Sequence, residues 1–363
     1  MSISADFTFY KGKKVLITGH TGFKGSWMCR TLQHLGADVC GYALDPPTDP
    51  ALYDICSIGM SILSVFADIR DYDKLKETFD SFRPEIVIHM AAQPIVRMSY
   101  KEPRYTYEVN VMGTVNVLEC CRCTDSVRSV VNVTTDKVYR NDELNHAFKE
   151  DGYLDGYDPY SNSKSCSELV TASYKRSFFD DLTIPVSTCR AGNVIGGGDF
   201  ALDRIIPDCY RATSSGEDIV VRNPYSTRPY QHVLEPVIAY LMVAMRQFSD
   251  HSIAGSYNIG PDDESCINTG DMVDMFCDSW EKYTAIRPTW VNRYDGGPHE
   301  AGFLKLDNSK YKGYFGYDPV WDISTAIDKT VEWYADYSAG TDCLSCMDRQ
   351  IEQYLYDFGQ LME

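Results

Sequence analysis

The sequence has little that would place the protein in a membrane or outside the cell. None of its apolar runs approaches the roughly 20 residues that a helix needs to cross a lipid bilayer. Its first residues, MSISADFTFYKGKK, lack the hydrophobic segment of a signal peptide. Internal repeats, low-complexity tracts and charged linkers are also missing. We therefore expect a cytoplasmic protein that has no membrane partner.

Basic residues are scarce. The 363 residues include 34 Lys and Arg against 52 Asp and Glu, which gives a formal net charge of -18. Nucleic acids and anionic membrane surfaces are bound by basic faces, so the composition argues against both as partners. Any anion must instead be bound locally by a few well-placed cations.

The cysteines lack the spacing of a metal site. There are 13 of them, but the cluster ECCRC (Cys120, Cys121 and Cys123) has no second ligand pair at zinc-site spacing. In a cytoplasmic protein such cysteines are reduced thiols that pack as small hydrophobic side chains. We therefore expect no metal.

The composition that remains is that of a soluble globular protein. Hydrophobic residues make up 44% and charged residues 24% of the chain. This length suits one large or two fused domains. We predict a first domain over residues 1–195 and a second, mainly ligand-binding domain over residues 196–363, from which the chain can return to the first.

Strands alternate with helices in the first half of the chain. The runs KKVLIT, ADVCGYAL, EIVIHMA and SVVNVTT are typical of strands, and DYDKLKETFDSF and VNVMGTVNVLECCR of helices between them. This order indicates βαβ units and a parallel sheet covered on both faces. Later the pattern loosens, with the strand DIVVRNP among loops. The predicted fold class is α/β, a doubly wound parallel sheet with a smaller mixed α/β substrate-binding domain over its carboxyl edge.

A glycine-rich loop follows the first strand. Gly19, Gly22 and Gly25 form G-x-x-G-x-x-G between a predicted strand and helix, a Rossmann-type loop. The first glycine permits the turn, the second lets a pyrophosphate approach the backbone, and the third lets helix and strand pack closely. Lys24, inside the loop, either contacts the pyrophosphate or is solvated.

An acidic residue at the end of the second strand favours NAD over NADP. Asp45 lies 20 residues beyond Gly25, where a carboxylate accepts hydrogen bonds from the adenosine ribose and repels a 2'-phosphate. The alternative is an ordinary Asp-Pro turn in LDPPTDP. We predict NAD as the cofactor.

A tyrosine and a lysine four residues apart provide a candidate general base. If YSNSKSCSELVTASY begins a helix, Tyr160 and Lys164 lie one turn apart on the same face. The phenol is a poor base at neutral pH, but an adjacent ammonium favours the phenolate. Exposed helix surface is the alternative for this spacing, and the glycine loop argues against it.

Further motifs extend this pattern over nearly the whole chain. With TGHTGFKGS, MAAQ, NVMGT, TTDK, YSNSK and RAGNVIGGGD, the sequence resembles the extended short-chain dehydrogenases/reductases that act on nucleotide sugars. Within that group, TTDKVY and RNPYSTRPYQHVLEP are similar to the CDP-glucose branch of the 4,6-dehydratases. The dTDP-glucose branch has Asp-Glu where this chain has Asp136 and Lys137.

The resemblance implies a set of site residues. Catalytic positions are Thr135, Asp136, Lys137, Tyr160 and Lys164. Cofactor-binding positions also include Thr21, Phe23, Lys24, Asp68, Ile69, Ala91, Ala92, Gln93 and Asn110. Nucleotide-sugar-binding positions are Gln93, Asn193, Arg204, Arg222, Arg228, His299 and Glu300. A homodimer or higher homo-oligomer and a role in deoxysugar biosynthesis, as for lipopolysaccharide O-antigen, are implied as well.

The expected chemistry has two steps. Tyr160 takes the proton of the sugar 4-hydroxyl while hydride leaves C4 for NAD, with Thr135 bonding the same oxygen. The resulting ketone makes the C5 proton acidic, so water can leave from C6 if one group removes that proton and another protonates the hydroxyl. Asp136 can protonate and Lys137 can abstract. The alternative is that Lys137 stays cationic and stabilises the enolate electrostatically, while water or Asp136 removes the proton.

Three other functions remain open from the sequence. A nucleotide-sugar 4-epimerase needs Tyr160 and Lys164 but no acid and base after Thr135. An inverting UDP-N-acetylglucosamine 4,6-dehydratase also has Asp-Lys. A non-catalytic NAD-binding sensor needs neither Tyr160 nor Lys164. The expected function is NAD-dependent dehydration of CDP-glucose to CDP-4-keto-6-deoxyglucose.

Overall fold

The computed structural model describes residues 3–142, 146–294 and 304–361. The strands are β1 Lys14–Thr18, β2 Asp38–Ala43, β3 Leu63–Phe66, β4 Ile86–His89, β5 Ser129–Val133, β6 Val186–Ala191, β7 Asn193–Ile195, β8 Ile219–Val221, β9 Thr227–His232, β10 Ser256–Ile259, β11 Cys266–Asn268 and β12 Trp290–Asn292. Among these residues, no helix combines the length and the apolar character needed to span a bilayer.

Helices of three kinds join the strands. The α-helices are α1 Phe23–His34, α2 Leu52–Ile55, α3 Tyr72–Phe82, α4 Val96–Lys101, α5 Pro103–Tyr107, α6 Gly113–Arg122, α7 Pro159–Tyr174, α8 Asp180–Leu182, α9 Ile205–Ser215, α10 Leu234–Ser249, α11 Thr269–Thr284, α12 Ser309–Phe315, α13 Ile323–Ser338 and α14 Cys343–Leu361. The 3-10 helices are Ile3–Tyr10, Ile58–Ser61, Asp136–Val138, His251–Ile253 and Asp263–Ser265, and the π-helical turns are Glu108–Met112 and Lys175–Phe179.

A seven-stranded parallel sheet forms the centre of the molecule. Its strand order is β10-β6-β5-β4-β1-β2-β3. All residues of β4 and β5 are buried, as expected for strands covered by helices on both faces. The predicted fold class, a Rossmann-type doubly wound sheet, is confirmed.

The two strands at the edges of this sheet were not predicted. β3, with the sequence LSVF, is only four residues long, and each of these residues is partly or fully exposed. β10 lies in the second half of the chain and pairs in parallel with β6. The chain therefore returns to the first sheet beyond residue 196, as the predicted division allowed, and the division itself remains a prediction.

Two small sheets accompany the large one. Strands β11, β9 and β7 form the first, and β12 pairs with β8 in the second. The run DIVVRNP is confirmed as a strand, since it contains β8. The largest apolar core joins helices α1 and α10 to α11, α13 and α14, so the second half packs directly on the first.

The parallel arrangement gathers the motifs at one edge. The glycine loop follows β1, MAAQ follows β4, TTDK follows β5 and RAGN contains the end of β6. Parallel strands all point the same way, so their carboxyl ends meet at a single edge of the sheet. Helix α7, which carries Tyr160, packs against the 3-10 turn Asp136–Val138 at that edge.

Candidate active site

The glycine loop fits a dinucleotide pyrophosphate. Gly19 has φ 80°, and a Cβ placed on it would lie 2.9 Å from the Ala91 nitrogen. A Cβ on Gly25 would lie 2.1 Å from the Gly19 oxygen, whereas one on Gly22 would meet nothing closer than 3.5 Å. Helix α1 begins after Gly22 without a side-chain cap. Its first amides are therefore available to an anion.

The other predicted cofactor positions lie after strands β1, β2, β3 and β4. Thr21 Oγ1 donates to the Leu44 carbonyl at 2.9 Å, and Asp45 is exposed two residues after β2 ends. The Asp68 carboxylate accepts from the Arg70 guanidinium, which lowers the pKa of Asp68. Ile69, beside it, packs where a side chain on Gly113 would otherwise lie. Phe23 is the first residue of α1, and Ala91 and Ala92 follow β4.

Gln93 and Asn110 are buried and hydrogen-bonded inside the protein. Gln93 Nε2 donates to Thr106 at 2.9 Å, and its Oε1 accepts from the Ile95 amide at 2.6 Å. Asn110, in a π-helical turn, bonds the backbone of Gln93 at both ends and the Ser163 hydroxyl at 2.9 Å. Their side chains thus fix the loop after β4 to helix α7.

The hydroxyl, acid and amine after β5 lie together. Asp136 is 1% exposed and its Oδ1 accepts from Thr135 Oγ1 at 2.9 Å. Its Oδ2 has no hydrogen-bond partner among the described residues. Lys137 Nζ lies 3.5 Å from Asp136 Oδ1, with a third of its side chain exposed. A buried carboxylate oxygen without a partner beside an exposed ammonium is a site where a ligand hydroxyl can bind.

Tyr160 lies in this cluster near the start of α7. The helix begins at Pro159, and the Asp158 side chain caps it by accepting from the Ser161 amide at 3.0 Å. Burial raises the pKa of Tyr160, while the Lys137 charge and a hydrogen bond with Thr135 lower it. In the protein by itself desolvation outweighs the neighbouring cations and the pKa of Tyr160 lies above its ordinary value, so the role of Tyr160 as the general base stays a prediction.

Lys164 is fixed to the end of β5. Its Nζ donates to the Val133 carbonyl at 3.1 Å, and burial lowers its pKa to about 8 against the opposing charge of Glu168. One turn further along α7, Glu168 forms a buried ion pair with Arg190 at 2.9 Å. Thr134, next to Val133, donates to the same carboxylate. Two adjacent residues at the end of β5 thus contact α7, because Val133 bonds Lys164 and Thr134 bonds Glu168.

Lys24 approaches the candidate catalytic cluster, which consists of Thr135, Asp136, Lys137, Tyr160 and Lys164. The sequence suggested only a pyrophosphate contact or a solvated side chain for Lys24. Its Nζ donates to the Tyr240 hydroxyl at 3.3 Å. Burial, together with the positive charges of Arg204 and Lys164, lowers the pKa of Lys24 to about 7. The glycine loop therefore brings a third amine towards Asp136 and Lys164.

The arginines of the second half lie in different environments. Arg204 pairs with the buried Asp199 at 2.9 Å and acts electrostatically on Tyr160, so it lies next to the candidate catalytic cluster. Arg222 pairs with Asp203 at 3.1 Å. Arg228, on β9, is 8% exposed.

The remaining positions have different standings in the structure. Asn193 is the first residue of β7. His299 and Glu300 lie outside the described residues. Arg211 is partly buried and donates to Asp208 and to the carbonyls of Phe200 and Ala201.

Sequence reasoning missed several neighbours of these groups. Tyr240 lies in the apolar helix α10 and is fully buried, so its pattern indicated core only. Asp199 and Asp203 stand close to Arg204 in the sequence, which was a usable signal for ion pairs. Arg97, 3.7 Å from Asp203, had no signal, because 106 positions separate the two residues.

The cysteines are all free thiols, of which Cys120 and Cys121 are buried and Cys123 is exposed. Across residues 3–142, 146–294 and 304–361, no group of three or more His, Cys, Asp or Glu side chains is placed to hold a metal ion.

The sheet, the glycine loop and the Tyr-Lys helix together define the class of the protein, an extended short-chain dehydrogenase/reductase. Residues 16–330 match the family model described as GDP-mannose 4,6 dehydratase, and the chain belongs to this family. The predicted enzyme class, a hydro-lyase of the nucleotide-sugar 4,6-dehydratase type, is confirmed by this match and by the relative described next.

Known proteins resemble the chain over most of its length. CDP-glucose 4,6-dehydratase of Salmonella typhimurium is 43% identical over 356 residues, which covers 96% of this chain and 98% of that protein. The structure of dTDP-glucose 4,6-dehydratase from Bacillus anthracis, in complex with NAD, is 21% identical with a TM-score of 0.74, covering 92% of this chain and 100% of that one.

An epimerase from Methanothermobacter thermautotrophicus has the same fold. Its structure has a TM-score of 0.77 at 21% identity and covers 93% of this chain and 97% of that one. Dehydratases and epimerases thus share this fold, and the fold by itself does not separate the two activities.

Proposed function

We propose that the protein catalyses the NAD-dependent dehydration of CDP-glucose to CDP-4-keto-6-deoxyglucose and water. The observation that carries this proposal is the 43% identity to a CDP-glucose 4,6-dehydratase over 96% of the chain. The glycine loop, in which Gly19 and Gly25 leave no room for a side chain and Gly22 leaves open space, supports a dinucleotide cofactor. The exposed Asp45 after β2 supports NAD rather than NADP.

Tyr160, Thr135 and Lys164 are proposed to serve the step at C4. NAD, when bound, supplies a hydride acceptor for C4 and later a hydride donor for C6. Tyr160 accepts the proton of the 4-hydroxyl, and the charges of Lys137 and Arg204 stabilise its phenolate. Thr135, bonded to Tyr160, is placed to bond the same substrate oxygen. Lys164 anchors helix α7 to β5 and adds positive charge.

Asp136 and Lys137 are proposed to serve the elimination. The ketone at C4 acidifies the proton at C5, and Lys137 either removes that proton as the base or stabilises the enolate as a cation while water or Asp136 takes the proton. Asp136 protonates the hydroxyl that leaves C6, and its unpartnered Oδ2 supports a contact with this hydroxyl. An epimerase has no elimination, so it would not require this pair.

The nucleotide sugar is proposed to bind between the sheet edge and the second half of the chain. Arg222 and Arg228 bind the diphosphate, and Arg204 lies nearer the sugar because it acts on Tyr160. Asn193 and Gln93 complete the pocket, with Gln93 shaping the loop after β4 through its internal hydrogen bonds. His299 and Glu300 remain sequence-based assignments to the same pocket.

The remaining expectations belong to the same proposal. They are a cytoplasmic enzyme of deoxysugar biosynthesis, including that of lipopolysaccharide O-antigen, a homodimer or higher homo-oligomer, and two domains over residues 1–195 and 196–363. Mass measurement by light scattering tests the oligomer, and limited proteolysis tests the domain division.

The proposed function is tested by mass spectrometry of reaction mixtures. The protein is incubated with NAD and, separately, with CDP-glucose, dTDP-glucose, UDP-glucose and UDP-N-acetylglucosamine. We expect loss of one water from CDP-glucose. Loss of water from another nucleotide sugar only would show that the substrate is that compound and not CDP-glucose. An isomer of unchanged mass would indicate a 4-epimerase, and no change in any mixture would favour the non-catalytic sensor.

A further inference from the structure

A carboxylate lies between two arginines outside the catalytic cluster. Asp203 Oδ1 is 3.1 Å from Arg222 Nη1 and 3.7 Å from Arg97 Nε. Arg97 lies on α4, after the loop that contains Gln93, and Arg222 directly follows β8. The two guanidinium groups therefore come from distant parts of the chain and converge on one oxygen atom.

The exposure of these three side chains indicates a site that a ligand can reach. Arg97 and Arg222 are about one quarter exposed, at 25% and 26%, and Asp203 is 38% exposed. Asp203 thus offers one carboxylate oxygen to two guanidinium groups. Two guanidinium groups directed at a shared oxygen form the arrangement that binds phosphate oxygens.

Asp203 lies in a loop between β7 and α9. It has φ 62°, a left-handed conformation that aspartate and asparagine adopt more readily than other residues with a side chain. In the same loop, Asp199 is buried and pairs with Arg204 at 2.9 Å. The same loop thus contains a buried carboxylate, that of Asp199, and a partly exposed one, that of Asp203.

We propose that Arg97 and Arg222 form an anion site for the substrate diphosphate, and that Asp203 occupies this site as an internal counter-ion which the diphosphate displaces. The inference rests on the proposed function for the identity of the anion, and it adds two residues, Arg97 and Asp203, that the sequence did not single out.

The Asp203 carboxylate should affect both the spacing of the two guanidinium groups and their affinity for an anion. It keeps the two like-charged guanidinium groups close together when no substrate is bound, because it offsets their repulsion. It also competes with the diphosphate from within the same molecule, so the apparent affinity is lower than that of the two arginines alone. Removal of the negative charge should therefore tighten the binding of a diphosphate.

The test is calorimetric titration of inorganic pyrophosphate, and separately of CDP, into the NAD-saturated protein. Saturation with NAD keeps the probes from the glycine loop. Asp203→Asn keeps the side-chain shape and tolerates the left-handed backbone. Arg97→Met removes one guanidinium. The matched control is Asp80→Asn, which removes one negative charge from an exposed ion pair with Lys76 on α3.

We expect Asp203→Asn to bind both probes about three- to tenfold more tightly than the native protein, and Arg97→Met to bind them about fivefold or more weakly. Asp80→Asn should stay within about twofold. Equal NAD affinity in all four proteins shows that each is folded. If only Asp203→Asn binds pyrophosphate measurably, the inference is supported.

Unchanged or weaker pyrophosphate binding by Asp203→Asn overturns the inference, as does native affinity in Arg97→Met. Absence of binding in all four proteins also overturns it. Pyrophosphate binding depends neither on the base nor on turnover. A native protein that fails to dehydrate CDP-glucose would therefore refute the proposed function and leave the anion site in place.

Discussion

The surroundings of Tyr160 act in opposite directions on the pKa of its hydroxyl. Burial raises its pKa, and Lys137, Thr135 and Arg204 each act in the other direction. The Thr135 hydroxyl has one proton, which it donates to Asp136 Oδ1 while Tyr160 is neutral. When Tyr160 loses its proton, Thr135 can turn its own proton to the phenolate, so these two side chains should be coupled in the pH dependence of catalysis.

Replacing Thr135 by Val should shift the pH profile towards alkaline values. The methyl group cannot donate to the phenolate, so the pKa of Tyr160 should rise further, and the rising limb of kcat/KM against pH should move to higher pH. We expect a loss of about tenfold to hundredfold in kcat/KM at neutral pH. Thr135→Ser, which keeps the hydroxyl, is the matched control. An unshifted limb in Thr135→Val would show that Thr135 does not act on Tyr160.

Replacing Lys137 by Met should separate the two chemical steps. Oxidation at C4 does not need Lys137 as a base, so enzyme-bound NADH should accumulate after CDP-glucose is added, while little 4-keto-6-deoxy product forms. Since Lys137 also lowers the pKa of Tyr160, its removal should move the rising limb to higher pH, and the assay is run above the rising limb of the Lys137→Met profile. Absorbance of NADH and product mass are the two measurements.

The control for this experiment is Tyr160→Phe, which should form neither NADH nor product. The assignment of Lys137 to the second step fails if Lys137→Met dehydrates at the native rate, or if it loses NADH formation as completely as Tyr160→Phe. Partial dehydration that responds to added amine or acetate would favour the cationic, enolate-stabilising role.

At the level of elements, the glycine loop makes different demands on its glycines. A methyl group on Gly25 would meet the Gly19 oxygen at 2.1 Å, whereas one on Gly22 would have 3.5 Å of space. Gly25→Ala should therefore destabilise the protein by about 1–3 kcal/mol through overpacking, and it should also weaken NAD binding. Gly22→Ala should retain the native melting temperature and lose only NAD affinity, because the methyl group would block the pyrophosphate.

Thermal unfolding and NAD titration of these two variants separate packing from binding. Equal melting temperatures for Gly25→Ala and Gly22→Ala would contradict the steric argument. Unchanged NAD affinity in Gly22→Ala would mean that the pyrophosphate does not approach this glycine.

The sequence predicted those elements whose signal is local. The apolar runs of β1, β4 and β5 and the loop spacing of Gly19, Gly22 and Gly25 lie within short windows, and each prediction agrees with the structure. Strand β3 escaped prediction because it is short and half-exposed at the sheet edge. Local patterns therefore specified the sheet but not all of its edges.

Within the candidate site, the unpredicted features depend on tertiary contacts. The lowered pKa of Lys24 arises from burial and from Arg204, which lies far along the chain. The raised pKa of Tyr160 likewise arises from burial, a quantity that the spacing of Tyr160 and Lys164 does not contain. Residue spacing identified the reacting groups, but their protonation required the folded environment.

At the level of the whole molecule, Glu235 joins helix α10 to the C-terminal region. Its carboxylate accepts from the amides of Val320 and Trp321 at 3.0 and 2.7 Å, and from the hydroxyls of Tyr317 and Tyr354. Burial raises the pKa of Glu235 to about 7 in the folded protein. The protonated form is therefore the one that the folded state prefers below that pH.

Stability should fall as the pH rises towards the folded pKa of Glu235. Between the unfolded pKa near 4.5 and the folded value of about 7, the folded state binds more protons than the unfolded state. The contribution is complete below the unfolded pKa and lost above the folded one, a change on the order of 3 kcal/mol. Glu235→Gln should remove this part of the slope when melting temperatures are measured across that range.

The control for the loss of one carboxylate is Glu264→Gln, because Glu264 is an exposed residue within the 3-10 turn Asp263–Ser265. If the melting temperature of Glu235→Gln depends on pH as that of the native protein does, then protonation of Glu235 does not stabilise the folded state.

The position of β10 has a consequence for the newly made chain. Strand β6 has its outer partner in Ser256–Ile259, so a nascent polypeptide that has emerged only as far as β7 exposes the backbone amides and carbonyls of β6 along one side. Such an open edge can pair with another chain. During synthesis the enzyme should therefore depend on chaperones until β10 emerges, and fragments that stop before it should accumulate in inclusion bodies.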